Sequence, residues 1–313
     1  MHAQQPPDNH PAQSNHHIHC QILPHPTASA KPLVATTGIR YTHNQMIKNL
    51  RLLLAVASIA VSSLSAHALI ATEAFDYTAA QQLSGLNGGS GWSGAWTGSS
   101  TATIQSPSLD FPGRTETGNK AVLGNNGSTY TLFRSLASTV SGSTASTASL
   151  SFLFNLTGND ADIGIRFAGL SLFTGTTELI FFGKPGNTTE IGIEKYAGGT
   201  EVLGVDTSFS SSTVFLFEAD FVLNTIGNSF VTVKVSDNSN GGTLLSTWSN
   251  LSLGSGFEFN QIRLIRDFAL DSEINPEFDE ISISAIPEPS AVALLTVAAV
   301  IGLARRRRAP RRG

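Results

Sequence analysis

From Ser149 to Ala285 the chain is written in short runs of β-branched and aromatic residues, and that pattern limits its architecture more than any other feature. "SLSFLFNL", "IGIRFAGLSLF", "ELIFFGK", "IGIEKYA", "TVFLFEADFVL", "SFVTVKVSD", "IRLIRDF" and "FDEISISA" each fit a strand of about five to ten residues. The alternation is plain in one of them: Phe230, Thr232 and Lys234 point one way, and Val231, Val233 and Val235 the other. Turn-forming stretches separate the runs, among them Lys184-Pro185-Gly186-Asn187, Gly198-Gly199 and Asp237 to Gly242. No window of helical length carries a 3.6-residue period. Evenly spaced strands without helices predict an all-β protein, an antiparallel β-sandwich. No fixed repeat favours a propeller or solenoid.

The two ends obey different rules. "MIKNLRLLLAVASIAVSSLSAHA" sets Lys48 and Arg51 before an apolar core from Leu52 to about Leu64, then Ala66-His67-Ala68. This is the layout of a secretory signal peptide, with Ala66 and Ala68 framing the cleavage site and Leu69 as the expected mature N-terminus. The signal begins at Met46. Residues 1–45 are rich in Pro, His and Gln, and are expected to be an over-extended start, with a genuine disordered leader as the alternative. The expected organisation is thus leader 1–45, signal peptide 46–68, sandwich domain 69–285 and a terminal segment 286–313.

That last segment reads "IPEPSAVALLTVAAVIGLARRRRAPRRG". Ala291 to Ala304 is a 14-residue apolar run, shorter than the roughly 20 residues of a full membrane span. It is expected to form a short transmembrane helix. Arg305, Arg306, Arg307 and Arg308 follow, then Arg311 and Arg312, and can hold that end on the cytoplasmic side. Pro287 and Pro289 keep a helix from running in and leave Glu288 in an extended segment.

Motif, apolar run and basic stop, in that order, resemble the PEP-CTERM sorting signal, with Pro287-Glu288-Pro289-Ser290 as its motif. The resemblance implies an exosortase-type processing enzyme and the secretion machinery as partners, and a transient inner-membrane anchor. It also implies delivery to the cell envelope, outer surface or extracellular matrix, where such proteins accompany exopolysaccharide or biofilm. An ordinary C-terminal membrane anchor is the alternative, with the same orientation.

Trimming the ends changes what chemistry the body can do. All eight histidines and Cys20, the one cysteine, lie at or before the signal cleavage site. The 218 residues from Leu69 to Ile286 therefore hold no Ser-His-Asp or Cys-His nucleophile, no His/Cys zinc site and no disulfide. The same stretch has 9 basic against 21 acidic residues, a net of −12, whereas the whole chain stands at −4. A body of that sign repels nucleic acid, which is excluded as a partner.

The opening "LIATEAFDYTAAQQLSGLNGGSGWSGAW", with Phe75-Asp76-Tyr77, and the closing Phe278-Asp279-Glu280-Ile281 are similar to the edges of concanavalin A/laminin G-like jelly rolls. The "FVLNTIGNSFVTVKVSDNSNGG" hairpin is similar to theirs too. The resemblance implies that the first and last strands pair side by side. Some glucanases of that fold carry Glu-x-Asp-x-x-Glu on one strand, with both glutamates at retaining distance. Here Glu277 and Asp279 match, but Ser282 takes the acid/base place. Strand parity sends Glu280 to the opposite face. A glycoside hydrolase is the distant alternative. The expectation is a non-enzymatic protein in which Asp279 satisfies a loop amide.

Three further features are weighed. Trp92 and Trp96 of "GWSGAW" can stack on sugar rings or cap the sandwich core, and Trp248 is assigned to the core. Asp160 and Asp162 of "GNDADIG", and Asp237 of "DNSNGG", are weak candidates for calcium, which needs six or more oxygens. Ordinary Asx turns explain them equally well. The expected function is binding or organising extracellular polysaccharide, and the alternative is a structural or adhesive surface module without a small ligand.

Overall fold

The computed structural model describes residues 68–99, 101–124, 129–158, 166–267 and 274–287. Strands dominate them, in two antiparallel sheets. The eight-stranded sheet contains β1 (Ala68–Glu73), β3 (Ala102–Gln105), β4 (Lys120–Leu123), β6 (Ala145–Thr157), β11 (Val214–Val222), β12 (Asn228–Asp237), β13 (Thr243–Ser255) and β15 (Asn275–Pro287). Its order is β13-β12-β11-β6-β15-β4-β3, with β1 also paired to β15. The seven-stranded sheet runs β10 (Glu201–Asp206), β9 (Glu190–Lys195), β8 (Thr177–Lys184), β7 (Ala168–Thr174), β14 (Glu258–Arg266), β5 (Tyr130–Ser141) and β2 (Thr97–Gly98). The expected antiparallel sandwich is the observed fold. Among the described residues no helix is long and apolar enough to cross a membrane; the expected signal and tail helices lie outside those residues.

Alternation explains the core. Leu150, Phe152, Phe154 and Leu156 of β6, Phe215, Phe217 and Phe221 of β11, and Val231, Val233 and Val235 of β12 all face inward and are buried. From the other sheet come Leu170, Leu172, Ile180, Phe182, Ile262 and Leu264. Phe152 lies flat on Phe217 at 5.0 Å, and Phe182 meets Phe152 edge-on at 6.4 Å, bridging the sheets. Such pairs each add about 0.5–1.5 kcal/mol beyond the area they bury.

The first and last strands do pair: Ala68 lies opposite Ala285 and Glu73 opposite Ile281. β15 runs two residues past the expected domain edge, with Pro287 opposite Ala145. β2 to β5, β10 and β13 have no counterpart among the expected strand runs. β13 carries four large apolar side chains exposed or half-covered (Leu244, Leu245, Trp248 and Leu251), and β10 is half exposed, so neither shows clean alternation.

Candidate functional site

Of the sorting features, Pro287 ends β15 and Ala68 begins β1. Ala66, Glu288, Pro289 and Arg305 to Arg308 lie outside the described residues. The two ends of the folded body thus leave from neighbouring strands.

The tryptophan segment is built around a buried ion pair. Gly91, with φ 79, lets this loop lie on the opening strand, since a β carbon there would sit 1.7 Å from the Ile70 carbonyl oxygen. Trp92 then donates through Nε1 to the Thr72 carbonyl at 2.8 Å, and Trp96 donates to Glu73 Oε2 at 3.1 Å. The Arg134 guanidinium pairs with that same carboxylate and lies 4.9 Å from the Trp92 ring and 5.4 Å from Trp96. Trp96 is 0 % exposed and stacked on Phe75, so its face is closed to a sugar. Of the two readings of Trp96, the core cap is the one its burial fits: a single buried carboxylate draws the indole N–H inward. Trp92 is half-buried and packs on the core, as does Trp248. Tyr77 donates to the same Glu73, and burial together with that carboxylate pushes its phenol up to about 12.

On the outer face of the eight-stranded sheet, residues 106–119 cross β15, β6 and β11 as a strap. Leu109 and Phe111 cover Leu153, Val214 and Leu216, forming a small second core. Asp279 Oδ2 accepts from Leu109 N at 2.9 Å and from the Ser108 hydroxyl. Burial raises its carboxyl to about 7, against the opposing pull of those donors. Glu277 is paired with Lys120 at 2.8 Å. The parity expectation for Glu280 is corrected here. Glu280 has φ 48 and sits in a bulge between Asp279 and Ser282, and its carboxylate reaches the same strap, accepting from Thr117 N at 2.7 Å. The extra residue resets the alternation, so Asp279 and Glu280 both serve the loop.

The outer face of the seven-stranded sheet holds the cluster that the sequence reading missed. The ladders align Thr97, Phe133, Arg263, Ser171, Phe181, Glu194 and Val202 in one row across all seven strands. The next row is Ile265, Gly169, Gly183, Gly192 and Gly204. A β carbon at Gly183 would meet the Ala168 carbonyl oxygen at 2.3 Å, so the strands close up there only without side chains. Phe181 folds over Gly169, and Glu190 over Gly204, so two side chains lie on the glycine row.

Beside this row is a cavity of about 160 Å3 lined by Phe167, Glu178, Phe181, Glu194, Tyr196, Arg263 and Ile265. Arg263 Nη2 donates to Glu178 Oε1 at 2.5 Å and to Ser171 Oγ at 3.1 Å, and its guanidinium lies 4.8 Å from the Phe173 ring. Tyr196 donates to Glu194, and burial with that bond drives its phenol well above the usual range. Arg263 is itself pulled down by burial, with Glu178 opposing. Past Phe173 a second depression of about 400 Å3 is lined by Thr97, Phe133, Phe173, Gly175, Thr176 and Gln261. A charge between Ile262 and Leu264, both 0 % exposed, was the readable signal: alternation alone puts Arg263 on the outer face.

Asp237 accepts from Ser239 N at 3.0 Å and from its hydroxyl, an Asx turn. Asp160 and Asp162 lie outside the described residues. Among the described residues no three His, Cys, Asp or Glu side chains converge as metal ligands.

The sequence matches no protein-family profile and no curated relative. Solved structures that it resembles include the binding domain of botulinum neurotoxin serotype D, at 13% identity and a TM-score of 0.44 over 72% of this chain and 51% of that one. This chain therefore spans about half the length of that domain. The endo-β-1,4-glucuronan lyase of the fungus Trichoderma reesei aligns at 8% identity and TM-score 0.42, over 66% of this chain and 96% of that one. The PL-14 alginate lyase of Aplysia kurodai gives 8%, 0.40, 59% and 87% respectively.

Proposed function

We propose that this is an exported, non-enzymatic β-sandwich of the concanavalin A/laminin G-like kind. It is sorted by its Pro287-Glu288-Pro289 tail to the envelope or matrix and binds polysaccharide on the outer face of the seven-stranded sheet. The observation that carries the binding reading is the row through Phe133, Arg263, Ser171, Phe181 and Glu194, with a cavity on one side of Phe173 and a depression on the other. Arg263, Glu178 and Glu194 supply a donor and acceptors beside the half-buried rings of Phe133, Phe167 and Tyr196, with Ser171 and Phe181 buried beneath them, a mixture that suits a hydroxyl-rich chain. The non-catalytic reading is supported by Glu277 and Asp279, whose carboxylates are taken up by Lys120 and by the strap.

A glycan array with the wild-type protein and Arg263→Gln tests the binding. Saturable signal that falls in the variant supports it, and a blank array favours the adhesive module instead. That second reading has its own observation. Edge strand β13 has no charged residue or proline in 13 positions and pairs only with β12 among the described residues, an edge open to strand addition. Export is tested by the mass of protein recovered from cells. The expected species starts near Leu69 and ends near the Pro-Glu-Pro motif; an unprocessed chain contradicts it.

A further inference from the structure

We infer that the polymer held on this face is an uncharged glycan and that polyuronates are rejected, an inference that rests on the binding reading above. Among the described residues the rows of this face carry the carboxylates of Glu178, Glu190, Glu194 and Asp206 with the guanidinium of Arg263, and the Arg166–Asp267 ion pair at its end, 3.8 Å apart, adds no net charge. Arginine is the group that ordinarily receives a sugar carboxylate. Here Nη2 is held by Glu178 at 2.5 Å and by Ser171 at 3.1 Å, Phe173 covers one face of the plane, and Nε is buried. A uronate taking the guanidinium in a two-point grip would have to displace Glu178, leaving that partly covered carboxylate without its cation.

Hydroxyl groups are common to both polymers and can donate to Glu194 and Glu178, which as carboxylates only accept. The uronate therefore brings the same hydroxyls plus a repeating negative charge, set against a face of net negative sign on a body that is itself strongly acidic. That repulsion acts over about 8 Å at physiological salt and is screened as salt rises. Hydroxyl hydrogen bonds and ring contacts do not share that dependence.

The test is titration of the full-length protein with neutral gluco-, manno- and galacto-oligosaccharides and with galacturonate and mannuronate oligomers of equal length, at about 0.05 M and about 0.5 M salt. The expected result is a neutral oligomer bound at least about tenfold more tightly than any uronate at low salt, with the gap narrowing at high salt. Glu190→Gln combined with Asp206→Asn, both at the exposed margin, is expected to raise uronate affinity. A uronate bound as tightly as the best neutral oligomer overturns the inference and leaves polysaccharide binding standing. So does a preference that salt does not alter. Binding of no oligomer in either class removes both.

Discussion

Arg134 and Glu73 face each other in the interior with side chains 0 % and 1 % exposed, and every arm of the guanidinium is used. Nε donates to the Gly94 carbonyl at 3.2 Å, and Nη2 to Gly88 O at 2.6 Å and Asn87 Oδ1 at 3.1 Å. The pair ties β1 and the tryptophan loop to β5. Arg134→Leu leaves Glu73 buried with only neutral donors, and is expected to cost about 3–5 kcal/mol in urea unfolding. Arg134→Lys is expected to recover little, because one ammonium cannot span those four acceptors. A loss below about 1 kcal/mol for the leucine variant contradicts the latch.

Asp279 gives the fold a pH dependence of a defined sign. Its carboxyl is raised from 3.8 to about 7 by burial. Between those values the folded state binds more protons than the unfolded state. Its contribution is therefore fully present below about pH 4 and is lost as pH climbs through about 7. Asp279→Asn keeps an acceptor for Leu109 N and is expected to flatten that limb in denaturation midpoints measured from pH 4 to pH 8. A wild-type curve that rises over that range contradicts the assignment.

Lys184 acts in a higher window. Burial lowers its ammonium from 10.5 to about 8, with Asp267 opposing. The folded state binds fewer protons there, so stability is expected to increase as pH rises from 8 towards 10.5. Lys184→Met is expected to remove that slope in the same assay; an unchanged slope contradicts it.

The Arg263 side chain is largely covered, at 14 % exposure, and that of Glu178 is 24 % exposed, so their ion pair is partly buried. Arg263→Gln is expected to cost about 1–3 kcal/mol, because Glu178 loses its cation. It is expected to lower glycan affinity about tenfold, because it frees Glu178 to swing across the cavity. Large instability without change in binding contradicts the role given to this face.

The strap is held by packing as well as by Asp279. Phe111→Ala is expected to cost about 2–4 kcal/mol, below or within the range for a fully enclosed ring, and to uncover Leu153, Val214 and Leu216 to an apolar dye. Absence of dye binding contradicts the cover.

Much of the framework was legible because alternation is local. Val231, Val233 and Val235 announce the buried face of β12 by themselves, and the pairing of the first and last strands agrees with the edges that the sequence suggested. What escaped depends on distant partners. Leu109 meets Asp279 across 170 positions, and nothing periodic in residues 106–119 signals a strap. Glu280 defeated parity because a bulge inserts one residue, which period-2 counting cannot foresee. Trp96 was undecided until Glu73 and Arg134 placed it inside. Arg263 is legible from its buried neighbours Ile262 and Leu264, whereas its partners Glu178 and Ser171 come from neighbouring strands.

Hydrogen–deuterium exchange, with and without the best-bound neutral oligosaccharide, examines the binding face most directly. Protection is expected in β7, β8, β9 and β14, around Ser171, Phe181, Glu194 and Arg263, with the segment from Gly88 to Trp96 unchanged. Protection confined to that tryptophan segment or to the strap, or no protection at all, would contradict binding on the outer face of the seven-stranded sheet.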